Sequence, residues 1–309
     1  MTHLQRSEMA TRRSDSVASG TYTCGPGGAH RLGYVIAASP RTGSWLLCHA
    51  LEDSGAAGTP AEYFWQGDQP AWRERWGVDG PFRRYVEAFW ATATGNGVVG
   101  AKLMWAYFFD FVVQAREVPE WSWLGHDQLM ESIFPDTCYL WVSRRDKVRQ
   151  GVSWWRAEAG GQWALAAGDA SLAHGPEELD LAAVKNLVEV ARVHDEAWGK
   201  YFAERGAQPW HIYYEDLVED LAGAAASALG YLGLAGAGPQ VVRPRLQRQA
   251  DELTERWVAE YQAAQDSGRL DEVEPRARVP VVEYPGSVRA RAPAPAQRAS
   301  HQPLPNAAT

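Results

Sequence analysis

YVIAASPRTGSWLLCHALEDSG, residues 34–55, decides the fold. An apolar run from Tyr34 to Ser39 gives way to Pro40-Arg41-Thr42-Gly43-Ser44, and an amphipathic run follows from Ser44 to about Ser54. Strand, loop and helix in that order make an anion-binding turn, because the first N–H groups of the helix and its dipole both face the loop. A nucleotide-binding P-loop closes with Gly-Lys-Ser/Thr. Here no lysine follows, and the arginine precedes a single glycine, which counts against a P-loop kinase. Gly43 lets the backbone approach a ligand closely. Thr42 and Ser44 add hydroxyls, and Arg41 adds a planar fork suited to phosphate or sulfate oxygens. Taken alone, the loop fits equally well a plain strand-to-helix turn with Ser44 as N-cap.

The pattern repeats along the chain. Gly95-Asn96-Gly97 turns into VVGAKLMW, a second strand; TCYLWVS (137–143) is a third and WHIYY a fourth. Helices are expected over PFRRYVEAFWATAT from Pro81, over DQLMESIF, from Asp146 to Glu158, from Pro176 to Arg205, and over DLVEDLAGAAASALGYLGL. Alternating strands and helices predict an α/β fold, a parallel sheet flanked by helices, with the loops after the strands along one ligand-binding edge. We expect a single domain over residues 31–274. A leader at 1–30 and a Pro/Ala/Arg-rich tail at 275–309 are expected to be disordered.

The 309 residues carry a net charge of −8, which argues against a nucleic-acid binder and its basic face. At 46 % hydrophobic residues a globular core is expected, yet no run is long enough to cross a membrane. The N-terminus lacks the apolar stretch of a secretory signal. Three cysteines, widely spaced, give neither a metal spacing nor a disulfide framework. Cys48 and Cys138 read as small core residues, and a reducing cytoplasm fits.

A second strand-loop-helix unit, CYLWVSRRDKVRQGVSWWRAE, places Arg144 and Arg145 at a strand end and Ser153 two helical turns on. Guanidinium forks with a hydroxyl make a receptor for a dianionic phosphate. An exposed, charged helix start with ordinary surface pairs is the plain alternative. PRTGSWLL resembles the phosphosulfate-binding loop of sulfotransferases that use 3′-phosphoadenosine 5′-phosphosulfate (PAPS), and RRDKVRQGVS resembles their 3′-phosphate motif. Together with AGTPAEYFW, GAKLMWAYF, YYEDL and RQADELTERW, these motifs resemble the Stf0 family of bacterial sulfotransferases, over about Tyr34 to Tyr261.

The resemblance implies the sulfotransferase fold and sulfuryl transfer from PAPS, leaving 3′-phosphoadenosine 5′-phosphate (PAP), to a hydroxyl of a carbohydrate or related small metabolite. It implies no metal, and it admits a homodimer. It assigns Arg41, Thr42, Gly43 and Ser44, with the backbone of Trp45, to the 5′-phosphosulfate. Arg145 and Ser153, with Arg144 nearby, are assigned to the 3′-phosphate. Glu62 in TPAEYFW aligns with the family's general base, although alone it reads as a solvated loop carboxylate. Arg41 would also stabilise the leaving phosphate.

Trp45 departs from the small hydroxyl residue usual at its position, which keeps open a protein that binds PAP without turnover. Lys102, a lysine inside an apolar strand, either neutralises charge near the sulfate or pairs with a carboxylate. His49 reads as a packing or surface residue. Glu215 and Asp216 read as structural, capping the helix they begin. Arg243, Arg245 and Arg248 either complete the 3′-phosphate site or are solvated. Most of the fifteen tryptophans are expected to fill the core, with one or two lining the acceptor or adenine site.

Overall fold

Leu32–Ala38 is buried at every position, as a strand with neighbours on both sides and helices on both faces must be. Successive side chains alternate between faces. Val35 and Ala37 join one apolar cluster, and Tyr34 and Ile36 join another. This strand, β1, is the centre of a computed structural model that describes residues 32–135, 137–161, 163, 178–236, 245 and 251–274. The leader, the tail, Arg243 and Arg248 lie outside the described residues.

After β1 come α1 (Ser44–Asp53), α2 (Gln69–Trp76), α3 (Phe82–Ala91), β2 (Val98–Met104), α4 (Trp105–Ala115) and α5 (His126–Ile133). Then follow β3 (Cys138–Ser143), α6 (Lys147–Gly160), α7 (Leu181–Arg205) and β4 (Trp210–Tyr213). The described chain closes with α8 (Tyr214–Glu219), α9 (Leu221–Tyr231), α10 (Glu252–Asp266) and α11 (Arg269–Glu272). The sheet is parallel throughout, in the order β2-β1-β3-β4. The chain leaves β1 for β2 on one side and returns to β3 on the other. The C-terminal ends of β1 and β3 therefore flank the point where the strand order reverses, the place where open α/β sheets hold ligands.

One face of the sheet packs against α3, α4, α5 and the C-terminal half of α7, through Tyr85, Phe89, Phe108, Phe111, Trp198 and Phe202. The other packs against α1 and α9 through Leu47, Leu51, Ala228 and Leu229. A third cluster joins α6, α7 and α10, with Val152, Trp155, Leu187 and Trp257 at its centre.

All four expected strands are present. The helix expected over DLVEDLAGAAASALGYLGL is two, broken at Asp220, whose φ of −139° leaves the helical region. Its carboxylate accepts from Gly223 N at 2.8 Å and starts α9 afresh. The long helix begins at Leu181, where Asp180 accepts from Ala183 N at 3.0 Å. Four helices, α2, α4, α10 and α11, were not expected from the sequence. α4 (WAYFFDFVVQA) is apolar nearly all round, and α2 (QPAWRERW) buries only Gln69, so neither shows a clean stripe. Cys138 is disulfide-bonded, which corrects its reading as a plain core thiol. Cys48 is a buried free thiol. No described helix is long and apolar enough to cross a membrane.

The contact of α6 with α7 is close enough to require glycine. A Cβ on Gly151 would lie 2.5 Å from Val188 Cγ2 and 3.1 Å from Val188 N. Alanine favours a helix interior by about 1 kcal/mol over glycine, but overpacking costs about 1–3 kcal/mol and moves backbone. Gly151→Ala is expected to lower the thermal midpoint; an unchanged or raised midpoint in a melting experiment would contradict this packing.

Candidate active site

The loop after β1 is held in an uncommon backbone conformation. Arg41 has φ 66° and Gly43 φ 76°, both left-handed. For arginine that geometry is strained and persists only where the surroundings impose it. Gly43 is required twice over, since a Cβ there would meet the Tyr214 ring at 2.6 Å. Gly43, not Ser44, is the N-cap of α1, and no side chain caps that helix start. Leu46 N donates to Gly43 O at 2.8 Å, and the N–H groups before it have no side-chain cap, the arrangement that favours an anion. By contrast, α6 is capped by Asp146, which accepts from Arg149 N at 2.8 Å.

The hydroxyl of Thr42 is turned inward. It donates to Ser39 O at 2.9 Å and is fully buried, so this side chain shapes the loop and leaves its backbone to face outward. Arg41 Nε donates to Ser153 Oγ at 3.0 Å, and its Nη1 donates to the carbonyl of Trp163. The two halves of the expected receptor, one on each strand-loop-helix unit, are therefore in contact.

Arg144 and Arg145 part company. Arg144 is 6 % exposed; its Nη1 donates to Arg41 O at 3.2 Å and its guanidinium lies 4.4 Å from the Tyr214 ring centroid. Its Nε sits 4.0 Å from Glu215 Oε1 and has no hydrogen-bond partner among the described residues. Burial holds this guanidinium below its ordinary pKa. Arg145 turns outward, grips Asp216 through two 2.6 Å hydrogen bonds, and lies over the Tyr213 ring at 4.1 Å.

Glu215 and Asp216 are structural, as expected, but not as caps of the helix they begin. Glu215 accepts from Arg145 N at 3.1 Å and from Asp146 N at 3.2 Å, so it ties down the loop after β3. Arg245 pairs with Glu52, at 2.7 Å, and with Asp53 at the far end of α1 from the anion loop.

Beneath the loops lies a set of side chains that the sequence reading missed. Ser39 Oγ donates to Asp195 Oδ1 at 3.1 Å. Gln150 Nε2 donates to Ser39 Oγ at 3.0 Å and to Pro40 O at 2.8 Å. Lys147 pairs with Asp195 and donates to Arg144 O at 2.5 Å. Asp195 had a legible signal: it lies four residues after Ala191 and three before Trp198, on the buried stripe of α7.

Glu62 and Lys102 form a buried ion pair. Ala61 extends the edge of β2 through a bridge to Ala101, with Lys102 N donating to Ala61 O at 2.9 Å. This brings Glu62 Oε1 to 2.7 Å from Lys102 Nζ, with Glu62 7 % and Lys102 0 % exposed. The Trp45 ring lies 3.8 Å from the same ammonium. Of the two expectations for Lys102, pairing with a carboxylate is the one observed. Glu62 is no solvated loop carboxylate. His49, one turn beyond Trp45, lies 5.6 Å from it ring to ring, and burial with Arg245 and Lys102 lowers its pKa to about 4. Among the described residues no group of three or more His, Cys, Asp or Glu side chains is arranged to hold a metal.

A parallel sheet whose switch point carries a helix start without a side-chain cap and two arginine loops defines an α/β protein whose sheet edge is suited to an anionic group. The class becomes specific on comparison with known proteins. The chain matches the model of the Stf0 sulphotransferase family over residues 33–264 and belongs to that family. It is similar to trehalose 2-sulfotransferase of Mycolicibacterium smegmatis, with 28 % identity over 261 residues, 75 % of this chain and 95 % of the relative. It is also similar to trehalose 2-sulfotransferase of Mycobacterium tuberculosis, with 29 % identity over 264 residues, 74 % of this chain and 94 % of the relative.

Removing one partner of a buried ion pair strands the other charge, at a cost of about 3–5 kcal/mol. Glu62→Gln should therefore destabilise the fold, and Glu62→Gln/Lys102→Met should recover most of the loss; urea denaturation measures both, and a double variant no more stable than the single one would refute the pairing. A second expectation concerns acid. His49 and His194, both with pKa values lowered by burial to about 4, are neutral in the folded chain, whereas an unfolded histidine protonates near 6.5. The unfolded state then binds more protons between pH 6.5 and 4, so stability falls as pH drops through that window. His194→Gln should flatten the dependence of the melting midpoint on pH there.

Proposed function

We propose that this chain transfers a sulfuryl group from PAPS to a hydroxyl of a carbohydrate, with Glu62 as general base. The observation that carries the proposal is the convergence on one sheet edge of the uncapped α1 start, the Arg41–Ser153 contact and the Glu62–Lys102 pair. The residues fit a bis-anionic nucleotide. The first loop offers backbone N–H groups and Arg41, while the buried Arg144, with its Nε unpartnered among the described residues, offers a fixed charge beside it.

The donor supplies an activated sulfuryl group, whose transfer forms a bond from the acceptor oxygen to sulfur and breaks the bond from sulfur to the 5′-phosphate oxygen. The N–H groups from Thr42 to Trp45 and the Arg41 guanidinium hold the 5′-phosphosulfate and meet the charge that grows on the leaving phosphate. Arg144, Arg145 and Ser153 hold the 3′-phosphate, Arg145 exchanging Asp216 for it. Glu62 takes the proton of the acceptor hydroxyl, and Lys102, 2.7 Å away, fixes its orientation beforehand. Both relatives are named trehalose 2-sulfotransferase, which supports a sugar as the acceptor. Half-buried Trp45, beside the Glu62–Lys102 pair, offers an aromatic edge for a sugar ring.

Calorimetric titration with PAP and separately with ATP is the first test. PAP should bind and ATP should bind far more weakly. Arg41→Ala should lose at least about tenfold in PAP affinity, as expected for a lost charge-assisted pair. Glu62→Gln/Lys102→Met should keep PAP binding but lose transfer from labelled PAPS to trehalose. Preference for ATP would overturn the donor assignment, and an active double variant would remove Glu62 as the base.

A further inference from the structure

We infer that Asp195 is a positioning residue that couples the two anion loops, so that the 3′- and 5′-phosphates of one nucleotide are held as a single unit. The inference rests on the donor assignment above. Asp195 belongs to neither loop; it stands on α7, with its side chain 16 % exposed. Each of its oxygens serves a different loop. Oδ1 accepts from Ser39 Oγ at the end of β1, and Oδ2 pairs with Lys147, whose Nζ also donates to the carbonyl of Arg144 at the end of β3.

The links close into a ring. Gln150, fully buried, donates to Ser39 Oγ and Pro40 O on the first loop, and its Oε1 lies 3.2 Å from Lys147 Nζ. On the outer side Arg144 Nη1 donates to Arg41 O. The spacing of the two loops is thereby set by hydrogen bonds on both their inner and outer sides. Ser39 and Gln150 are inaccessible to solvent, so breaking a link leaves a buried polar atom unsatisfied. Ser39, Gln150, Lys147 and Asp195 are committed to one another and to loop carbonyls. They act on a nucleotide only through Arg41, Arg144 and the loop backbone.

Such a ring has a specific consequence. A ligand that bridges two receptors gains from the second only when the spacing between them is fixed in advance. Loosening the ring penalises a nucleotide with both phosphates and leaves one that uses a single receptor almost unaffected. A merely structural role would lower stability and weaken both ligands alike.

The test compares PAP with AMP, which lacks the 3′-phosphate, by calorimetry on the full chain. In the wild type PAP should bind more tightly than AMP. Asp195→Ala should weaken PAP by about tenfold while AMP changes by less than about threefold, in the range expected when coupling between sites is lost. Asp195→Asn, which keeps an acceptor for Ser39 but not the charge for Lys147, should fall between and serves if the alanine variant does not fold. Equal weakening of PAP and AMP, or weakening of neither, would overturn the inference alone. A wild type that binds AMP as tightly as PAP would overturn the donor assignment, and the inference with it.

Discussion

The pairing of β1 with β3 is the constraint on which the candidate site depends. Tyr34 to Ala38 run in register beside Cys138 to Val142, so the two strands end at the same level and their loops emerge side by side. Sequence separates Arg41 from Ser153 by more than a hundred residues; the sheet brings them to 3.0 Å. Any other strand order would leave two unrelated turns. β2, on the far side of β1, carries Lys102 opposite Ile36, so the ion pair with Glu62 stands beside the same edge. The three parts of the site come from three strands whose order and register are fixed by burial on both faces.

Within that frame, local backbone geometry decides what the loops present. A glycine at position 43 is demanded both by its left-handed φ and by the Tyr214 ring packed against it. That ring also stacks with Arg144, so one aromatic residue on α8 braces the first loop and orients the arginine of the second. Glu215, the next residue, anchors the backbone of Arg145 and Asp146. The short helix after β4 thus supports both anion loops without contributing to either. Its sequence, YEDL, reads as a helix start because acidic residues favour that position; the loop they brace is visible only once β4 lies beside β3.

The same distinction explains what could be read from the sequence. The sheet was legible because buried parallel strands are short apolar runs bounded by turns, and the loop was legible because Pro-Arg-Thr-Gly-Ser lies between such a run and an amphipathic one. α4 was not, since Phe108, Phe109, Phe111, Val112 and Val113 give no polar face from which to measure a period. Side-chain direction was the least legible property. Thr42 and Ser44 both offered hydroxyls to an anion, yet Thr42 donates inward and Ser44 does not cap. Arg144 and Arg145 are adjacent and chemically identical, yet one is buried against Arg41 and the other is exposed on Asp216. For the two arginines the outcome depends on Tyr214 and Asp216 of α8, far along the chain, which no local pattern encodes.

Trp45 and Lys102, the two residues that fit the sequence pattern least, explain each other. An ammonium with no exposure to water pays a large desolvation penalty, and one carboxylate oxygen does not satisfy its three N–H donors. The electron-rich face of an indole 3.8 Å away supplies the remaining attraction, of about 2 kcal/mol for a desolvated cation. A small hydroxyl residue at position 45 would leave that side of Lys102 open. The indole therefore replaces one polar side chain at the anion loop with a cover over the ion pair, and the pair in turn fixes Glu62. The departure at Trp45 leaves the backbone of the loop intact: Leu46 N donates to Gly43 O at 2.8 Å, and α1 starts at Ser44. On these grounds an indole at position 45 is compatible with both the backbone of the loop and the buried pair.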